Sequence, residues 1–166
     1  MTISGPASRG GEIFRDVPGS LHIAVTVAAS LPKARQFLTT ETGIEAWLAR
    51  SASFDTEVGR GYRIELRESG EVIEGAVQGY DPAFGIAYSF ADDAVRRAYG
   101  STVARWSWEA LSPDYTLLTL IHSGYGQGDV WQQAYERHLD RWTFYLRNLV
   151  LVAGGGKDQR LTRTLP

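Results

Sequence analysis

The sequence predicts an α+β domain in which a meander of antiparallel strands is covered by one long C-terminal helix. The first observation is that segments of apolar-polar alternation follow one another between residues 21 and 123, separated by short turns. The second is that the periodicity becomes helical after residue 130. A helix with one apolar stripe must bury that stripe, and the face of the sheet is the surface that can cover it.

The first strand and two short helices are predicted within residues 21–49. Residues 21–27 alternate in polarity, with Ile23 and Val25 on one face, which predicts a strand. Ser30 can cap a helix at about 31–39, and a second short helix at about 42–49 places Trp47 on its apolar side. Residues 1–20 are rich in glycine and proline, and we expect them to form a flexible N-terminal arm.

The middle of the chain is predicted to form the rest of the sheet. Turn signals such as Ser69-Gly70 and Asp81-Pro82 separate its alternating segments. The charged stretch 92–100 is predicted to be a solvated loop. With the first strand, these segments give a sheet of about six to seven strands. The segments after the first strand lie at 53–57, 62–66, 71–80, 84–90, 103–110 and 115–123.

The last predicted element is a long helix that begins near residue 130. Its large side chains recur at steps of three and four residues and form one stripe, made of Trp131, Tyr135, His138, Trp142, Tyr145, Leu149 and Val152. Three consecutive glycines at 154–156 end the helix, and we expect residues 154–166 to form a flexible C-terminal tail. The chain is therefore predicted to hold one domain, at 21–153.

Composition narrows the classes of function. The 166 residues suit a single domain, and 17 basic against 19 acidic side chains leave a net charge of −2. This balance gives no argument for a nucleic acid or an anionic membrane as a partner. The absence of cysteine excludes disulfides and thiolate chemistry. No apolar run is long enough to span a bilayer and no signal-peptide core is visible, so a cytoplasmic location is the expectation.

A series of short sequence phrases occurs in a fixed order over about residues 21–152. They are FLT at 37–39, GIEAWL at 43–48, GYRI at 61–64, EGAV at 74–77, YDP at 80–82, IAYSF at 86–90, WSWE at 106–109, TLLTLIHSG at 116–124 and WTFYL at 142–146. With these phrases, the order of elements resembles the helix-grip fold of the START-like (SRPBCC) superfamily, and the sequence is most similar there to the family of activators of the heat-shock protein 90 ATPase (AHSA-like). The departures from the family pattern are Arg141, where a glycine is frequent, and Phe90, where tryptophan is common.

The resemblance implies a curved antiparallel sheet around the long helix, with a hydrophobic cavity between them. Five tryptophans, eight tyrosines and six phenylalanines fit such a cavity, because aromatic side chains line pockets for apolar or ring-shaped ligands as well as building cores. The residues that we expect to line it are Trp47, Tyr62, Tyr88, Trp106, Trp108, His122, Tyr135 and Trp142.

Two of the three histidines are candidates for chemistry in that cavity. His122 shares a strand face with Leu118 and Leu120, and His138 lies on the stripe of the last helix. Either could act as a general acid or base near neutral pH, and the alternative for each is a satisfied core histidine. The sequence shows no helical histidine pair at metal-ligand spacing and no carboxylate cluster beside these histidines, so we expect neither a metal nor a cofactor.

Three functions stay open. The leading hypothesis is binding of a small hydrophobic or aromatic molecule, with tyrosine and histidine fixing its orientation. The second, implied by the resemblance, is an enzyme of the polyketide-cyclase or dehydratase type, with His122 or His138 as base and a tyrosine as proton donor. The third is a protein-binding module with a chaperone partner, and the resemblance is also compatible with a homodimer.

Overall fold

A computed structural model of the chain describes residues 11–14 and 19–161. The helices in this part of the chain are α1 Leu31–Thr39, α2 Glu41–Trp47, α3 Asp93–Arg97 and α4 Asp129–Ala153, followed by a short 3₁₀ turn at Gln159–Leu161. The strands are β1 Gly11–Phe14, β2 Ser20–Val27, β3 Ala49–Ser53, β4 Gly61–Leu66, β5 Val72–Asp81, β6 Gly85–Phe90, β7 Thr102–Ser112 and β8 Tyr115–Ser123. The predicted α+β class and its order of elements are confirmed.

All eight strands form one antiparallel sheet in the order β1-β2-β8-β7-β6-β5-β4-β3. Strands β3 to β8 are neighbours in the sheet as they are in the chain, which is the predicted meander. Strand β2 joins the other side by pairing with β8, where Val25 lies opposite Leu118. The predicted antiparallel sheet is therefore confirmed. Strand β2, which precedes the two short helices, lies beside β8, the last strand before α4.

Two strands differ in place from the sequence-based expectation. The strand predicted at 53–57 is wrong in position, because the chain leaves α2 directly into β3, where Ala52 pairs with Ile64. Asp55 then accepts a hydrogen bond from the N–H of Glu57 and makes a turn, which ends the pairing. Strand β1 is an addition inside the predicted arm and pairs with β2. Residues 1–10 and 15–18 of that arm lie outside the described residues.

The two short helices form a corner that holds Trp47 in the core. Thr40 separates them, and its hydroxyl accepts the N–H of Gly43 as the cap of α2. The indole N–H of Trp47 donates to the carbonyl of Phe37 across the corner, at 2.8 Å, and the side chain is 1% exposed. Trp47 is therefore fully satisfied as a buried residue at this corner.

Helix α4 covers the sheet and packs against β2, α2 and α3. Its buried stripe includes Trp142, Tyr145, Leu146 and Leu149, so the predicted apolar face is the face that meets the core. None of the helices in the described part of the chain is both long and apolar enough to cross a membrane.

The stretch 92–100, predicted to be a solvated loop, contains helix α3 and packs against α4. Asp92 caps this helix by accepting the N–H of Val95 at 3.0 Å, and Asp92 is 0% exposed. The expectation of solvated charge at Asp92 is therefore wrong. The physical reason is that capping and ion-pair partners satisfy the buried carboxylate.

Part of the predicted flexible tail also packs on the domain. Arg160 is 6% exposed, and its guanidinium donates to the backbone carbonyls of Ala49 and Glu45. The packed part of the chain thus extends beyond the predicted boundary at residue 153, because the guanidinium satisfies carbonyls where α2 ends and β3 begins.

Candidate functional site

A continuous series of aromatic rings runs between the sheet and α4. In its middle, the ring of Trp106 from β7 meets Trp142 from α4 edge-on, with 5.6 Å between centroids. The indole N–H of Trp106 donates to the hydroxyl of Tyr88 at 2.8 Å, and Tyr88 lies 5.0 Å from the ring of Tyr62. These contacts make one half of what we call the aromatic column.

The other half of the aromatic column leads towards the first turns of α4. The indole N–H of Trp142 donates to Nδ1 of His122 at 2.9 Å. The His122 ring lies 5.2 Å from Tyr125, and Tyr125 lies 5.3 Å from Tyr135. The column, in spatial order, consists of Tyr62, Tyr88, Trp106, Trp142, His122, Tyr125 and Tyr135.

The structure brings together most of the residues predicted to line a cavity. Six of them belong to the aromatic column, and Trp47 touches it through Trp106, with 6.2 Å between ring centroids. Trp108 is buried but stands apart, because it packs against Tyr80 and donates to the carbonyl of Pro82. Their role in holding a ligand stays a prediction.

The Tyr62 end of the column is buried, and the protein itself satisfies its hydroxyls. Tyr62 donates to the carbonyl of Ser89 at 2.7 Å, while Tyr88 receives the indole N–H of Trp106. Burial raises the pKa of both tyrosines above the usual range, so both stay neutral phenols at neutral pH. This end is therefore an apolar part of the interior.

The Tyr135 end of the column reaches the surface of the protein. Tyr125, Trp131 and Tyr135 are half-buried there, and we call these three residues the aromatic opening. Trp131 lies against Gly100 and Gly126, where an added Cβ would come within 2.3 and 2.4 Å of the indole. Glycine at both positions is what lets the indole lie against the backbone.

A buried chain of hydrogen bonds starts at the aromatic opening. The hydroxyl of Tyr125 and Nδ1 of His138 share a hydrogen bond of 2.6 Å, and Nε2 of His138 donates to Oδ2 of Asp92 at 2.7 Å. Both His138 and Asp92 are 0% exposed. The direction of the His138–Asp92 bond follows from Asp92, because an ionised carboxylate can only accept.

Arg141 completes this group, which we call the His138 cluster: Glu71, Asp92, Tyr125, His138 and Arg141. The guanidinium of Arg141 donates to Asp92 at 2.6 Å and also to Glu71. Burial by itself raises the pKa of Asp92, but the hydrogen bond and charge of His138 and the charge of Arg141 outweigh it and lower that pKa below its usual range. Asp92 is therefore ionised at neutral pH.

His122 differs from His138 although their rings stack at 4.8 Å between centroids. Its Nδ1 accepts from Trp142, so Nε2 carries the proton and donates to Thr102 at 2.8 Å. Burial, followed by the charge of His138, lowers the pKa of His122 well below its usual value. His122 is thus a neutral histidine with both nitrogens engaged by the protein, whereas His138 connects through Tyr125 to the half-buried surface.

Four residues of the His138 cluster were not among the site residues predicted from the sequence: Glu71, Asp92, Tyr125 and Arg141. Asp92 lies 46 positions from His138 in the chain, so only the fold brings them together. Two signals existed: Asp92 precedes Val95 by three residues, as a helix cap does, and Arg141 follows His138 by one helical turn. Within residues 11–14 and 19–161, no group of three or more histidine or acidic side chains is arranged to hold a metal.

The sequence matches no protein-family model and no curated protein. Its structure is similar to the Aha1 dimer from Colwellia psychrerythraea, with 20% identity, a TM-score of 0.69, and coverage of 83% of this chain and 98% of the other. The HSP90 activator PFC0360w from Plasmodium falciparum is 18% identical, with a TM-score of 0.63 and coverage of 79% of this chain and 93% of the other. CalU16 from Micromonospora echinospora is 16% identical, with a TM-score of 0.63 and coverage of 98% of this chain and 88% of the other.

These neighbours agree with the resemblance found in the sequence. One of them is described as an HSP90 activator, and all three are covered over most of their length. Identities this low establish the fold and leave the function to the site. The chain therefore has the helix-grip fold, which it shares with the Aha1 dimer and PFC0360w.

Proposed function

We propose that this protein binds a small hydrophobic or aromatic molecule between the sheet and α4, and that the molecule enters through the aromatic opening. The observation that carries this proposal is the continuity of the aromatic column. Ring contacts, with the Trp106–Tyr88 hydrogen bond as one link, connect buried Tyr62 to half-buried Tyr135. Because this series of contacts ends at the surface, a ring-shaped ligand that enters there would contact one aromatic side chain of the column after another.

The chemistry of the aromatic opening supports the same ligand class. Tyr125, Trp131 and Tyr135 keep part of their apolar surface in water, which a ligand would remove at a gain of about 25 cal/mol per Å². The Tyr125 hydroxyl is the polar group at this position that is tied into the interior. A mostly apolar site with few polar groups is typical of small-molecule pockets.

The proposal is tested by titrating the protein with the neutral dye N-phenyl-naphthylamine and recording the dye's fluorescence. We expect saturable binding, weakened about fivefold by Tyr135→Ala, because an aromatic pair contributes about 1 kcal/mol beyond its area. Tyr115→Ala is the matched control, since Tyr115 is 51% exposed on the β7–β8 hairpin and belongs to no part of the column.

The proposal fails if the folded protein gives no saturable dye signal. It fails equally if Tyr135→Ala and Tyr115→Ala have the same effect on affinity. Native mass spectrometry of the purified protein is an independent route, because a retained small molecule would identify the ligand directly. Binding to a chaperone and the formation of a homodimer stay predictions from the resemblance.

A further inference from the structure

We propose that the indole N–H of Trp131 donates a hydrogen bond to a carbonyl oxygen of the bound molecule. The ligand class that fits is a neutral aromatic ketone, that is, a ring system with a carbonyl group attached. This inference rests on the proposed function, since it concerns the polar contact that the same ligand makes in the aromatic opening. It follows from the hydrogen-bond partners of the five tryptophans and from the position of the Trp131 indole.

Trp131 differs from the other four tryptophans in its indole N–H. The N–H groups of Trp47 and Trp108 donate to backbone carbonyls. Those of Trp106 and Trp142 donate to a tyrosine hydroxyl and a histidine nitrogen. Over residues 11–14 and 19–161, no residue accepts the N–H of Trp131. The fold therefore satisfies every other indole donor internally and leaves the one at the aromatic opening available.

The N–H of Trp131 is accessible to water. In the part of the chain that the structure describes, Oε1 of Glu68 is the one buried side-chain polar atom without a partner, so the partnerless nitrogen of Trp131 is not buried. A ligand that covers the aromatic opening removes the water from this donor, and a desolvated donor without an acceptor costs free energy. A ligand that places an acceptor here avoids that cost, so this N–H selects among ligands of the same shape.

Two glycines fix where the indole lies. An added Cβ at Gly126 would come within 2.4 Å of the indole nitrogen, and one at Gly100 would come within 2.3 Å of Cζ2. The nitrogen therefore lies at the loop that carries Tyr125, the residue before Gly126. The rings of Tyr125 and Trp131 meet edge-on, with 6.3 Å between centroids. A ligand ring that contacts Tyr125 thus lies close to the Trp131 N–H.

The chemistry of the indole decides which ligand atom fits. An indole N–H donates and cannot accept, so its partner is an acceptor such as a carbonyl oxygen. None of the three residues of the aromatic opening is charged, and Asp129, two positions before Trp131, is an exposed carboxylate. A carboxylate ligand would lose water there without gaining a cation, which costs more than placing a neutral carbonyl. The hydroxyl of Tyr125 already has a partner in His138.

The test compares benzophenone with diphenylmethane, which has the same two rings and no carbonyl oxygen. Each affinity is measured by equilibrium dialysis, and the readout is the ratio of the two affinities, because both probes make ring contacts. We expect Trp131→Phe, which keeps an aromatic ring and removes the N–H, to shift this ratio about fivefold against benzophenone, the effect of one hydrogen bond. Tyr115→Phe removes a donor from an aromatic side chain outside the column and should leave the ratio unchanged.

A second measurement uses the native protein and does not depend on the folding of a variant. The indole N–H signal of Trp131 is followed by nuclear magnetic resonance in ¹⁵N-labelled protein. It should move further downfield with benzophenone than with diphenylmethane, because a hydrogen bond to oxygen deshields the proton. Diphenylacetate, which carries a carboxylate on the same two rings, should bind more weakly than benzophenone.

Three results would overturn this inference while the proposed function stands. They are an affinity ratio that Trp131→Phe leaves unchanged, equal shifts of the Trp131 signal with benzophenone and diphenylmethane, and tighter binding of diphenylacetate than of benzophenone. If neither benzophenone nor diphenylmethane binds to the native protein, the proposed function fails and this inference fails with it.

Discussion

Helix α4 carries two buried polar clusters that resemble each other in burial and differ in their partners. Near its C-terminal end, Asn148 donates to Asp158, which also accepts from Arg160, and we call these three residues the Asn148 cluster. The amide of Asn148 donates to the carbonyl of Trp47 and accepts the N–H of Gln159, and Arg160 donates to two backbone carbonyls. The Asn148 cluster thus fastens backbone segments to one another.

The His138 cluster near the start of α4 is built from side chains that titrate. His138 bonds to a carboxylate and a phenol, and Arg141 joins two carboxylates. One member, Tyr125, is half-buried at the aromatic opening. Burial alone therefore does not distinguish the two clusters, whereas the kind of partner and the connection of Tyr125 to the surface do.

The largest effect should come from removing the cation of the His138 cluster. Arg141→Met leaves the buried carboxylates of Glu71 and Asp92 without their shared partner, and we expect the free energy of unfolding to fall by about 3–5 kcal/mol. The measurement is urea unfolding followed by tryptophan fluorescence. Arg105→Met, at an exposed position of β7, is the control. A loss no larger than that of the control would contradict the account of a charged interior.

A smaller effect is expected at the other end of the helix. Asn148→Ala removes hydrogen bonds to Trp47 and Gln159, and we expect a loss of about 2 kcal/mol in the same unfolding assay. Dye affinity should be unchanged in the folded variant, because the Asn148 cluster does not touch the aromatic opening. Gln133→Ala, exposed on α4, controls for the change in helix composition. A changed dye affinity with unaltered stability would reverse the roles assigned to the two clusters.

His122, beside the His138 cluster, and Asp158, in the Asn148 cluster, should also differ in how they make stability depend on pH. The pKa of His122, which stacks on His138, is lowered by burial, so below its ordinary value of about 6.5 the unfolded chain binds a proton that the folded chain refuses. Stability from this residue is complete above that pH and falls by about 1.4 kcal/mol per pH unit below it. Asp158 of the Asn148 cluster is a carboxylate with a lowered pKa, so its contribution to stability does not change between pH 7 and pH 5.

Comparing the native protein with His122→Gln between pH 7 and pH 5 isolates this contribution. The stability difference between the two proteins should shrink as pH falls. A difference that stays constant with pH would show that His122 titrates alike in the folded and unfolded chain, which its burial does not allow.

Most of the fold could be predicted from the sequence, but less of the candidate site could. Alternation predicted the strand faces, and helical spacing placed Trp142 and His138 on the buried side of α4, because both periodicities are local properties. Trp106 and Trp108 were predicted together for the same reason, yet they meet different neighbours, since the packing of rings depends on distant strands. Asp92 could not be assigned, because local charge indicates solvent and its partner His138 comes from a remote helix.

The most direct test of the central claim uses the five tryptophans as reporters. Their indole N–H signals are followed in ¹⁵N-labelled protein by nuclear magnetic resonance during a titration with para-nitroanisole. The account predicts that Trp131 in the aromatic opening and Trp142 in the aromatic column shift, while Trp108, which lies outside the column, stays in place. Five unmoved signals at saturating probe, or a Trp108 shift as large as that of Trp131, would contradict it.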